Sequence, residues 1–242
     1  MQKNSFPLIF QRNIGTITEK EQRKLNDACV AIIGLGGIGG ILFETLVRSG
    51  VGRFILMDSD IFELSNLNRQ ILSSMRNLGK EKTQIALERG KEINPEVRIE
   101  AYSKLFSEKD LRTIKPADVV ADGLDNVYSR IVLSRSARKF KIPYIFGAVE
   151  YGKGISTVFL PGKKSYEEIF ARSMKGKRFS QIKEKSSVYP KGMSVIGPVP
   201  NMVGCFEAMQ AINLILKKPV VEYPEFLNVD MFSRPQVRIG SL

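Results

Sequence analysis

Hydrophobic positions along the chain fall into short apolar runs separated by stretches with helical spacing. Cys29 to Ile33 is apolar at every position, which suits a strand buried on both faces of a parallel sheet. Before it, Thr18-Glu-Lys-Glu21 has the spacing of a capping box and predicts a short helix to about Asn26. After it, a glycine-rich turn leads into Ile41, Leu42, Thr45 and Leu46 at helical spacing, and Arg53 to Met57 reads as a second strand ending in an acid. The pattern continues with a helix over Lys80 to Glu92, strands over Arg98 to Tyr102 and Asp118 to Ala121, a helix over Val127 to Lys141, and a strand over Tyr144 to Ala148. Strands alternating with helices predict an α/β fold, a Rossmann-like doubly wound, mostly parallel sheet.

The character changes after a strand over Gly154 to Leu160. Pro161 to Ser194 is polar, basic and rich in Ser, Lys and Gly, and only Tyr166 to Met174 looks helical. This stretch reads as a long, mobile crossover loop over the sheet. Asn201 to Leu216 is an apolar helix, and Phe226 to Asp230 with Gln236 to Ile239 suits a closing antiparallel hairpin.

Composition narrows the chemistry. With 242 residues, 43% of them hydrophobic, the chain can bury a full core in one domain. No run of about 18 apolar residues occurs and the first residues lack the pattern of a secretory signal, so a cytoplasmic protein is expected. Two cysteines, Cys29 and Cys205, leave no disulfide framework and no four-thiolate zinc site within one chain. Histidine is absent, which removes the usual general base and points to chemistry run by carboxylates, Lys, Arg, backbone amides and a bound metal. The formal charge of +12 either draws anionic partners or solubilises the surface.

Gly34-Leu-Gly36-Gly37-Ile-Gly39 stands between a predicted strand and helix, where glycines let backbone approach a ligand and helix amides face phosphate. Asp58 ends the next strand, the place of an acid that binds ribose hydroxyls, so this much suits NAD as well as ATP. The stretch Asp58 to Gln70 separates the two. It packs Asp58, Asp60, Asn66, Asn68 and Arg69 into one connection for which a dehydrogenase has no evident use. A polyphosphate needs such donors, and Arg offers a planar fork to its oxygens.

At this point the chain resembles the ubiquitin-activating-like superfamily, in its MoeB/ThiF/HesA branch. The matching pieces are Gly34-x-Gly36-Gly37-x-Gly39, Asp58-x-Asp60, Ser65-Asn66-Leu-Asn68-Arg69-Gln70, Gly79-Lys80-Glu-Lys82, Asp125-Asn126, Gly197-Pro198-Val199, Gly204 and Glu207-Ala208-x-x-Ala211-Ile212. The resemblance implies one adenylating domain: an N-terminal helical segment (1–28), a nucleotide-binding core (29–160), a basic crossover loop (161–195) and a C-terminal helix and hairpin (196–242). It also implies ATP and Mg²⁺. Gly36 and Gly37 would lie against the nucleotide and Asp58 would hold the ribose. Ser65, Asn66, Arg69 and Gln70 would order the phosphates, Lys82 would contact them, and Asp125, beside Asn126, would hold Mg²⁺. Arg12 falls where the family carries an arginine donated across a homodimer interface. Arg12, Arg69, Lys82 and Asp125 are thus the expected catalytic set.

The departures matter too. Without Cys-x-x-Cys pairs the structural zinc of many relatives is not expected, and no cysteine lies between Pro161 and Ser194 to form a thioester. Cys29 begins a buried strand and Cys205 sits in an apolar helix, so ordinary burial is expected of both. The expected activity is ATP-dependent adenylation, without a thioester cysteine, of the C-terminal carboxylate of a small ubiquitin-like sulfur carrier ending in Gly-Gly. The alternatives are a tRNA threonylcarbamoyladenosine dehydratase, with tRNA as partner, peptide modification in a natural-product pathway, an NAD-dependent dehydrogenase and a non-catalytic adaptor. Arg172 and Arg178 of the basic loop offer a surface to an acidic carrier or an RNA backbone.

Overall fold

The structure is a computed structural model that describes residues 8–186 and 194–241. After a 3-10 turn at Leu8–Asn13 come α1 (Glu19–Asp27), β1 (Cys29–Ile33), α2 (Gly37–Arg48), β2 (Arg53–Asp58), α3 (Lys82–Ile93), β3 (Arg98–Ser103), β4 (Val119–Asp122), α4 (Val127–Phe140), β5 (Tyr144–Glu150) and β6 (Lys153–Phe159). The crossover carries α5 (Tyr166–Phe170) and α6 (Phe179–Ser186), and α7 (Pro198–Leu216), β7 (Glu225–Asp230) and β8 (Val237–Ser241) follow.

Eight strands form one sheet in the order β3-β2-β1-β4-β5-β6-β7-β8. The first five are mutually parallel and the last three antiparallel. The order in which strands are added reverses at β1, which has β2 on one side and β4 on the other, so the crevice for a ligand opens at the carboxyl ends of β1 and β4. Every residue of β1 is buried because helices cover both faces. Val30 and Ile32 pack towards α2, α3 and α7, while Cys29, Ala31 and Ile33 pack towards α4 and the crossover.

Local chemistry explains the ends. Thr18 and Glu21 form the expected capping box of α1, with Thr18 Oγ1 accepting the Glu21 amide at 3.2 Å. The helix α7 starts at Pro198, three residues earlier than the apolar pattern suggests, because proline fits a first helical turn where no amide donor is required. It is long and apolar enough to cross a membrane, yet half of it is buried, and it packs against α2, β5 and β6.

Two expectations need correction. The stretch Pro161 to Ser194 is not one mobile loop: from Ser165 to Ile182 it is largely helical, and Tyr166, Ala171, Met174 and Ile182 are buried against α4 and the sheet. The apolar spacing is too sparse to reveal a helix, but the Arg135 guanidinium anchors it, donating to Glu167 Oε2 at 3.0 Å and to the Lys177 carbonyl at 2.8 Å. Residues 187–193 lie outside the described residues. Cys205, expected to be buried, is exposed. The helical period gives Val203, Gly204, Glu207, Ala208 and Ala211 to the core and turns Met202, Cys205 and Met209 outwards. Cys29 is buried as expected.

Candidate active site

The turn after β1 is shaped by glycine. Gly34 has φ +93°, and a Cβ there would lie 2.4 Å from the Gly123 carbonyl oxygen. A Cβ on Gly39 would lie 1.9 Å from the Gly34 carbonyl oxygen. Backbone thus packs on backbone where β1, β4 and α2 meet. Gly36 is the N-cap of α2 and supplies no side-chain acceptor, so the first-turn amides of α2 remain available to an anion.

Asp58 is built into that turn. Its Oδ2 accepts the Leu35 amide at 2.6 Å and its Oδ1 the Asp60 amide at 2.8 Å. Burial pushes its carboxyl above the usual range, against the pull of the Lys82 charge and the two amides. Lys82, on the first turn of α3, is buried and reaches Asp60 Oδ2 at 3.1 Å. A buried lysine is thus held beside two carboxylates next to the glycine turn.

The connection after β2 brings the other expected residues in. Gln70 is buried with its Oε1 unpartnered, and its amide lies 3.9 Å from where a Gly36 Cβ would be. The Arg69 side chain runs 3.6 Å from where a Gly37 Cβ would be, and Nη1 donates to the Ser65 carbonyl at 2.9 Å. Asn66 is mostly occupied locally, its Oδ1 accepting the Glu63 amide at 3.1 Å. Ser65 is exposed and touches the site through its backbone.

Across the crevice, Asp125 is exposed on the loop after β4, and Asn126 caps α4 by accepting the Ser129 amide at 2.8 Å. What sets this loop is a buried group that sequence reasoning missed. Asp122 Oδ2 lies 3.1 Å from Arg130 Nε and accepts the Tyr144 hydroxyl at 2.6 Å, while Oδ1 accepts the Leu124 amide at 2.7 Å. Arg130 also donates to the carbonyls of Leu124 and Gly147. Burial raises Asp122's pKa, and the Arg130 charge beside it opposes that rise. The available signal was an acid at the strand end followed by an arginine one turn into the next helix. Glu207, also without an assigned role, is fully buried on α7, has both oxygens unpartnered, and approaches Gly147 so closely that a Cβ there would lie 1.9 Å from Oε1.

Arg12 is not brought to the site. The Asn13 amide donates to the Ser49 carbonyl at 3.2 Å, and Phe10 packs on Gly50. This segment therefore sits at the far end of the 12-residue α2, about 18 Å of helix from the glycine turn.

The site so defined belongs to a class: an open α/β protein that cradles a nucleotide at its topological switch point and presents cations and carboxylates where a polyphosphate would lie. A family model described as "ThiF family" matches residues 10–239. The molybdopterin-synthase adenylyltransferase of Haemophilus influenzae is 32% identical over 215 residues, covering 88% of this chain and 84% of that protein. The sulfur carrier protein ThiS adenylyltransferase of Escherichia coli is 30% identical over 197 residues, 80% of this chain and 74% of the relative. Among solved structures, E. coli MccB with ATP has a TM-score of 0.75 at 26% identity, covering 92% of this chain and 65% of MccB. The chain belongs to the ThiF family, in the MoeB/ThiF branch of the ubiquitin-activating-like superfamily.

Proposed function

We propose that this protein is an ATP-dependent adenylyltransferase that activates the C-terminal carboxylate of a small ubiquitin-like sulfur carrier ending in Gly-Gly. The observation that carries the reading is the convergence of uncapped α2 amides, Arg69, the Gln70 side-chain amide and the Lys82–Asp60 pair on one glycine turn. The curated relatives are named for adenylylating sulfur carriers or for molybdopterin synthase, which favours a carrier over tRNA. In the reaction a carrier carboxylate oxygen attacks the α-phosphorus, the bond to the bridging oxygen breaks, and pyrophosphate leaves with the electron pair. No proton is transferred and no protein nucleophile is needed, so a chain without histidine suffices.

In this reading Gly36 and Gly37 line the nucleotide, and Asp58 holds the ribose with the carboxylate lone pairs left over from the Leu35 and Asp60 amides. Arg69 and Gln70 fix the phosphates, supported by Ser65 and Asn66. Lys82 exchanges Asp60 for phosphate oxygens. Asp125, an exposed carboxylate beside Asn126, would hold the Mg²⁺ that accompanies ATP, whose part is to offset charge on the leaving pyrophosphate. Arg12, away from the site of its own chain, would be donated to the site of a second copy in a homodimer. Folded Arg69→Ala and Asp125→Ala proteins are expected to lose adenylate formation by roughly a hundredfold or more, the scale of lost transition-state electrostatics. Full ATP-dependent activity in either would refute these assignments.

A further inference from the structure

Asn68 carries a donor and an acceptor on one short side chain, so it can hold two different groups at once. Its Oδ1 accepts from Arg69 Nη1 at 2.9 Å, the nitrogen that also donates to the Ser65 carbonyl. Its Nδ2 donates to the Val195 carbonyl at 3.1 Å, 127 residues further along the chain. Val195 belongs to the segment 194–197 that returns from the crossover to α7. On its other side this segment is held by Tyr151, in the β5–β6 turn, whose amide donates to the Ser194 carbonyl at 2.8 Å. The segment is also seated on the phosphate loop itself, since a Cβ on Gly197 would lie 2.6 Å from the Asn68 carbonyl oxygen. It therefore runs as a strap from the β5–β6 turn to Arg69.

We propose that Asn68 is a positioning residue that couples occupancy of the phosphate site to the seating of the 194–197 strap. The proposal rests on the nucleotide reading given above. Arg69 Nε and Nη2 make no hydrogen bond among the described residues, so they are the donors left for phosphate, while Nη1 stays anchored on Ser65 and Asn68. Phosphate that immobilises the guanidinium immobilises Asn68 Oδ1 with it, and the same rigid amide then holds Nδ2 on Val195. Linked hydrogen bonds of this kind reinforce one another.

The test uses the full chain and Mg-ATP alone. Hydrogen exchange is followed at the Tyr151 amide, which reports on the strap through its bond to Ser194, and ATP affinity is measured by calorimetry on the same proteins. In the wild type, Mg-ATP is expected to slow Tyr151 exchange several-fold. In Asn68→Asp, which keeps the shape and the acceptor for Arg69 but cannot donate to Val195, the nucleotide still binds and the slowing disappears. Asn68→Ala behaves the same way. Equal slowing in the wild type and both variants, or none in a wild type that binds Mg-ATP, overturns the coupling and leaves the nucleotide reading standing. A wild type that binds no Mg-ATP refutes both.

Discussion

Individual residues do more than the motif suggests. Asp58 was legible from its place twenty-odd residues after the glycine turn, but its role in bonding the Leu35 and Asp60 amides was not, because backbone hydrogen bonds leave no trace in residue spacing. Asp122 and Tyr144 lie on different strands and meet only through parallel pairing of β4 and β5, with Arg130 joining them from α4. Glu207 is the sharpest case. Its carboxyl has no partner, and burial, reinforced by the nearby Asp122 charge, pushes its pKa well above the ordinary range. Between the unfolded carboxylate range, near 4.3, and this raised value, the unfolded chain releases a proton that the folded chain keeps. Stability therefore falls as pH rises through that window, by about 1.4 kcal/mol per pH unit when fully expressed. Glu207→Gln removes the titration, so melting temperatures against pH are expected to show the variant gaining on the wild type from mildly acidic to neutral pH. A constant difference would mean that Glu207 is ionised in the fold.

At the scale of elements, the alternation of strands and helices was readable almost throughout, since buried parallel strands are uniformly apolar and helices carry periodic faces. Boundaries drifted by two or three residues, as with α3 and α7. The crossover was the failure. Phe179 to Ser186 is polar in composition, yet Ile182 is fully buried against the α4 face of the sheet. One deeply set side chain and a partly buried Arg135–Glu167 pair order a stretch whose sequence reads as loop. Ile182→Ala is accordingly expected to cost about 2–5 kcal/mol in a denaturant titration. A cost near zero would return this segment to the mobile loop that its composition suggests.

For the whole molecule, sheet topology and charge act together. The switch point at β1 fixes the nucleotide crevice, and the antiparallel strands β6 to β8 extend the sheet beyond it. Along the C-terminal end of α4 and the crossover, Arg138, Lys139, Lys141, Lys163, Lys164, Arg172, Lys175, Arg178 and Lys183 are exposed, whereas Glu167 is buried and Glu168 half-buried. Such a field attracts anions, most strongly at low ionic strength. The most direct test of the central claim is Mg-dependent exchange of labelled pyrophosphate into ATP at low salt, with Gly-Gly-ended carriers from the same cell offered one at a time and ADP release followed in parallel. Exchange that requires one of these carriers is the predicted result. Silence with every carrier, or ADP release that requires threonylcarbamoylated tRNA, would contradict carboxylate adenylation of a carrier.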